Sequence, residues 1–179
     1  MVIKLNQDSR YTEFRIINCY VLLRNMDMST FIKYIEVDNL EHREALELLF
    51  QEYSSGVSAT IDSTIVNQLF ALPYFHGFLC FTGNKPLGFA VCFESYSTYR
   101  ARKVLNIHDF MISSNSRGKG LGKLLLKGIE AYCRENDYLK ITLEVDDDNL
   151  VAKQLYGSCD YEDYQVALMG LNHWQKYLV

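Results

Sequence analysis

Residues 31–171 alternate short apolar runs with two longer stretches of helical period. Phe31–Val37 alternates imperfectly and predicts a first strand. Asn39 can cap a helix over about Glu41–Tyr53, with Ala45, Leu48, Leu49 and Tyr53 on one face and Ser54-Ser55-Gly56 as its end. Asp62 or Ser63 can cap a second helix, Thr64–Leu72, which Pro73 stops. Gly77–Phe81 and Leu87–Phe93 flank Thr82-Gly83-Asn84-Lys85, which predicts a hairpin. The second arm, all apolar or glycine, suits a central strand buried on both faces. The polar run Ser95–Lys103 predicts a loop and Val104–Ile112 a further strand. A helix then runs from Arg117 to about 135–137, with Leu121, Leu125, Ile129 and Tyr132 on one face. Leu139, Ile141, Leu143 and Val145 alternate with Lys140, Thr142 and Glu144 as in a half-buried strand. Asn149–Gly157 predicts a short helix and Tyr161–Leu171 a closing strand or hairpin. The order β-α-α-β-β-β-α-β-α-β makes an α/β domain around a mixed sheet.

The junction of the long strand and the long helix departs from ordinary helix-start composition. Gly118, Gly120 and Gly122 fall within five residues, beside Arg117 and Lys119. Glycine inside a helix costs about 1 kcal/mol against alanine, so the sequence keeps bare backbone there for a reason. Bare backbone at a helix N-terminus offers N–H groups and the positive end of the helix dipole, which suits a phosphate. The bland alternative is a glycine-rich turn packed closely on the sheet. A Walker A loop fails on spacing, because Lys123 stands where the second glycine belongs. The dinucleotide fingerprint places its third glycine one residue later than Gly122, and few residues follow Glu144, its candidate ribose ligand.

Arg117-Gly118-Lys119-Gly120-Leu121-Gly122 fits [RQ]-x-x-G-x-[GA] fully, and Asn149-Leu150-Val151-Ala152-Lys153-Gln154-Leu155-Tyr156 fits N-x-x-[SA]-x-x-[LF]-Y. With a strand before and an amphipathic helix after, the chain resembles the GNAT superfamily of N-acetyltransferases, most sharply over 104–161. The resemblance implies a mixed, mostly antiparallel sheet of about six to seven strands flanked by about four helices. It implies acetyl-CoA as co-substrate, with its pyrophosphate on Arg117, Gly118, Lys119, Gly120, Leu121 and Gly122. It implies a backbone contact to the thioester carbonyl from Phe110, Met111 or Ile112 and a further contact from Asn149. It assigns Tyr156 as proton donor to the leaving thiolate, a role a phenol suits. Asn149 could equally be a plain N-cap, and Tyr156 a packing residue, as most tyrosines are. Where relatives often carry a glutamate as base, this chain has His108 followed by Asp109, with Glu94 as the other candidate. His108 could also be a satisfied sheet histidine. Cys159-Asp160-Tyr161 replaces the Gly-Phe or Gly-Tyr that usually follows the tyrosine.

Composition narrows the partners. The chain has 179 residues, room for one core, and a net charge of −4, which disfavours nucleic acid and suits a cationic acceptor. Asp146-Asp147-Asp148 is a solvated turn or a rim that attracts cationic acceptors, and its spacing fits no metal loop, so no metal is expected. The five cysteines form no C-x-x-C pair, which points to reduced thiols in the cytoplasm. No apolar run reaches the ~18 residues of a membrane helix. Residues 1–30 have no clear period; they form an extension to the domain at 31–179, or precede a start at Met26 or Met28. The expected acceptor is a primary amine of a small molecule or peptide. Direct transfer in a ternary complex is expected, a homodimer is possible, and a non-catalytic acyl-CoA-binding module is the alternative.

Overall fold

Aromatic and β-branched residues concentrate in four consecutive segments, and these pair into one antiparallel meander. A computed structural model describes residues 29–56 and 62–163. In chain order they form β1 (Thr30–Tyr34), α1 (Leu40–Gly56), α2 (Ile65–Phe70), β2 (Phe75–Thr82), β3 (Lys85–Ser97) and β4 (Arg102–Ile112). A 3₁₀ turn (Ser114–Ser116), α3 (Leu121–Glu135), β5 (Lys140–Leu143) and α4 (Leu150–Gly157) follow. The chain divides into two compact units, residues 1–144 and 145–179.

The first unit holds a five-stranded sheet ordered β1-β2-β3-β4-β5, antiparallel except for the parallel β4–β5 pair. This is the predicted mixed, mostly antiparallel α/β architecture, with five strands among the described residues rather than six or seven. The strand expected at Tyr161–Leu171 falls largely outside the described residues, as does the extension at 1–30. β3 is the central strand, and its buried run confirms the two-sided reading: Phe89, Ala90, Val91 and Cys92 are each 0% exposed. Alternation sends Phe89 and Val91 into a cluster with Leu46, Leu49 and Phe50 of α1 and Leu69 of α2. α3 packs on the strands through Leu125, Leu126 and Ile129. Each such side chain contributes about 1.5–3 kcal/mol by burial.

Three expectations shift. The segment Ser95–Lys103 is not a loop: β3 runs to Ser97 and β4 starts at Arg102, so only 98–101 turn. The buried stripe of α1 is His42, Ala45, Leu46, Leu49 and Phe50, and Leu48 is 56% exposed. An i, i+3, i+4, i+7 stripe starting at His42 passes beside Leu48 rather than through it. α3 begins at Leu121, so Arg117–Gly120 precede the helix instead of forming its first turn.

Candidate functional site at the end of β4

β4 loses one neighbour before the other. Its parallel ladder with β5 ends at Ile107↔Leu143, while its antiparallel ladder with β3 continues to Gly88↔Ile112. The register also slips by one residue: Cys92 pairs with Ile107 and Val91 with Asp109, leaving His108 as the extra residue of a β-bulge. A bulge breaks the period of two. His108 lies beside Phe93 (ring centroids 5.4 Å apart), and Asp109 accepts a hydrogen bond from Tyr53 Oη (3.2 Å). Phe93 and Tyr53 both pack on the α1–α2 core, so two consecutive side chains share that face. His108 is exposed and Asp109 half-buried. Met111 is buried in the same core, and Phe110 and Ile112 are half-buried.

The glycine loop joins this strand end to α3. Gly118 and Gly120 have φ of 73° and 78°, the left-handed region where a side chain is strained. Gly120 is the N-cap of α3 and supplies no side-chain hydrogen bond, and no acidic residue occupies the first helical turn. Arg117 and Lys119 stand before that turn, with Arg117 Nε donating to Ile112 O (2.9 Å) and Lys119 Nζ to Asn115 O (3.1 Å). Cations are unfavourable at a helix N-terminus, which prefers a capping oxygen and a carboxylate. All three departures are ones that a bound anion would satisfy. A pyrophosphate group fits the residues present.

Glu52, absent from the sequence reading, and Tyr53, read there only as part of the apolar face of the first helix, fasten α1 to this end of the sheet. Glu52 Oε2 accepts from Ser113 Oγ and Oε1 from the Ser114 N–H, both at 2.8 Å. Those bonds, the backbone one first, hold the Glu52 carboxyl below the ordinary range. Burial, then the Asp109 charge, pushes the Tyr53 phenol up. No spacing in the sequence marks either contact, because the partners lie 56–62 positions away.

Glu94 is placed elsewhere. Its carboxylate takes hydrogen bonds from Tyr138 Oη and Lys103 Nζ (2.9 Å) and lies 3.5 Å from His76 Nε2. This cluster includes Tyr132 of α3, so Glu94 and His108 face opposite sides of the sheet. Burial raises the Glu94 carboxyl, and the Tyr138 and Lys103 hydrogen bonds outweigh it, leaving a net lowering.

In the second unit, Asn149 Oδ1 accepts from the Ala152 N–H (3.1 Å) and caps α4. The N-cap reading therefore holds for its oxygen, while its amide NH₂ has no part in the cap. Tyr156 is buried, with its ring 6.0 Å from that of Tyr161, and burial pushes its phenol up.

Comparison with known proteins bears on the fold and the family. An aminoglycoside acetyltransferase from an uncultured soil metagenomic sample superimposes with a TM-score of 0.70 at 20% identity, over 87% of this chain and 100% of that one. A probable acetyltransferase gives 0.72 at 18% identity, over 83% and 97%. At these identities the likeness is one of fold. In sequence, a thialysine N-epsilon-acetyltransferase of Caenorhabditis elegans is 31% identical over 86 residues, 48% of this chain and 53% of the relative. An uncharacterized N-acetyltransferase of Methanocaldococcus jannaschii is 28% identical over 90 residues, 50% and 40%. The chain spans about half the length, or less, of these curated relatives. Residues 42–161 match the sequence model of the acetyltransferase (GNAT) family, a span from the first residue of the buried α1 stripe past Tyr156, and the chain belongs to that family.

Proposed function

We propose that this chain transfers the acetyl group of acetyl-CoA directly to a primary amine of a small molecule or peptide, with both substrates bound together. The start of α3 carries the reading: two left-handed glycines, no side-chain cap, no first-turn carboxylate and two flanking cations. The nematode relative is named for an ε-amine acceptor, which supports a side-chain-like primary amine here. Among the described residues four buried cysteines are free thiols, which suits a reducing compartment, and we place the protein in the cytoplasm. Among the described residues no helix is long and apolar enough to cross a membrane.

Acetyl-CoA supplies an electrophilic thioester carbonyl and a thiolate leaving group. The N–H groups of Gly118–Gly122 hold its pyrophosphate, with charge from Arg117 and Lys119. Backbone N–H groups of Phe110–Ile112, where β4 has outrun β5, orient the carbonyl, and one such donor is worth roughly 3 kcal/mol. His108, turned out by the bulge, takes the acceptor's ammonium proton on a ring nitrogen, directly or through water. Glu94 is the weaker base candidate because its carboxylate is engaged on the opposite face. Tyr156 gives its phenolic proton to the departing sulfur, and the Asn149 amide contacts the cofactor chain.

Calorimetric titration with acetyl-CoA, with NADH as control, tests the reading. We expect micromolar binding to acetyl-CoA alone, lost in Gly120→Glu, followed by turnover in a screen of primary amines. Absence of acetyl-CoA binding would overturn it.

A further inference from the structure

The glycine loop depends on a group that lies outside it. The loop leaves β4 at Ser113, turns through Ser114–Ser116 and reaches Gly118 one residue after Arg117. Three ties hold the first part of that path. The Ser113 N–H donates to Leu87 O at 2.8 Å, tying it to β3. Arg117 Nε donates to Ile112 O. The third is the two-oxygen clasp of Glu52 on Ser113 Oγ and the Ser114 N–H. Glu52 thus caps the 3₁₀ turn from a helix 61–62 positions away, in place of a local cap, since Ser113 makes no side-chain cap bond of its own. Ser116 N bonds back to Ser113 O at 2.8 Å and is followed directly by Arg117, so a shift at Ser113–Ser114 passes into Arg117 and Gly118.

We infer that Glu52 is a positioning residue for acetyl-CoA, fixing through Ser113 and Ser114 the direction in which the N–H groups of the glycine loop point. The inference rests on the acetyl-CoA reading above. Each carboxylate oxygen of Glu52 already accepts one hydrogen bond from the turn, so we assign it to holding the turn and not to taking the acceptor's proton. The clasp is made by hydrogen-bond acceptance rather than by charge. A glutamine keeps one acceptor for the Ser114 N–H and offers its NH₂ to Ser113 Oγ, whereas alanine keeps neither.

The test is calorimetry with acetyl-CoA on the full chain and on Glu52→Ala, Glu52→Gln and Ser113→Ala, with melting temperatures measured without ligand. We expect roughly tenfold weaker binding in Glu52→Ala and about threefold in Ser113→Ala, from loss of two and one of the clasp's hydrogen bonds. Glu52→Gln should stay within about twofold of the unaltered chain, because the clasp survives. Equal affinity in Glu52→Ala and the unaltered chain would overturn the inference alone. Equal loss in Glu52→Gln and Glu52→Ala would overturn it in favour of a charge effect. If Glu52→Ala does not fold, Ser113→Ala decides: unchanged binding overturns. An unaltered chain that fails to bind acetyl-CoA overturns the underlying reading and this inference together.

Discussion

Gly118 and Gly120 occupy backbone conformations that cost a residue with a Cβ about 1–2 kcal/mol. At Gly118 nothing lies within 4 Å of an added Cβ, so the cost is conformational and not steric. Gly118→Ala should therefore fold, melt a few degrees lower and bind acetyl-CoA about tenfold more weakly as the loop relaxes to negative φ. Unchanged affinity in a folded variant would show that bare backbone at 118 serves the turn and not the ligand. Tyr156 makes the complementary case. Its buried phenol stays protonated, the form a donor to thiolate requires. Tyr156→Phe should leave acetyl-CoA affinity within about twofold and lower the turnover number by about 10²-fold, which steady-state kinetics beside calorimetry would separate. A turnover unchanged by the substitution would return Tyr156 to packing. The glycines and Tyr156 were legible because their motifs are local. Glu52 was not, nor was the bond of Tyr53 to Asp109: each carries its meaning only once β4 is folded against α1.

At the scale of elements, the sequence resolves order better than edges. The succession of strands and helices followed from period together with cap, turn and breaker residues through α4. The His108 bulge did not, because a bulge is a slip in backbone pairing and leaves no mark in the alternation of apolar residues. The length of the β3–β4 hairpin was missed for a related reason: beyond Glu94 both strands carry polar residues, which read as loop. The contact between β3 and the end of β4 shows how tightly the segment proposed to meet the carbonyl is set. A Cβ on Gly88 would come within 2.5 Å of Ile112 Cδ1 and 2.6 Å of Met111 O. The Ile112 side chain can move, but the Met111 carbonyl belongs to the backbone and can shift only by parting the two strands. Gly88→Ala should lower stability by about 1–3 kcal/mol in denaturant titration, an overpacking cost. It should also weaken acetyl transfer more than acetyl-CoA binding, since Met111–Ile112 lie beside the proposed carbonyl contact while Arg117–Gly122 do not. Equal losses in the two would place the strain in the glycine loop.

For the molecule as a whole, the Glu94 cluster sets how stability responds to pH. His76 Nδ1 lies 3.0 Å from Tyr34 Oη and 3.1 Å from Tyr132 Oη, and its Nε2 faces Tyr138 Oη and the Glu94 carboxylate. Lys103 reaches the same carboxylate from β4. Burial dominates and lowers the histidine, Glu94 pulls it back up and Lys103 lowers it further, so its folded pKa lies below 6.5. His42 is also lowered, by burial first and then by Lys33. A histidine depressed in the folded state binds its proton more readily when the chain unfolds. Stability is then fully present above the unfolded value of 6.5 and falls as pH drops through it, until the folded form is protonated too. The carboxylates Glu52, Glu94, Asp62 and Asp147 are lowered as well, from ordinary values of 4.5 or 3.8, so their losses begin at lower pH and do not mask the histidines. We expect the melting temperature to hold between pH 8 and 7 and decline between pH 6.5 and 5, all approximate bounds set by the histidine value. His76→Gln should flatten that decline while lowering stability at pH 8, because it removes the proton-binding site and part of the hydrogen-bonded cluster together. A decline unchanged in His76→Gln and abolished in His42→Gln would move the effect to the start of α1, where the buried His42 Nε2 has no hydrogen-bond partner among the described residues.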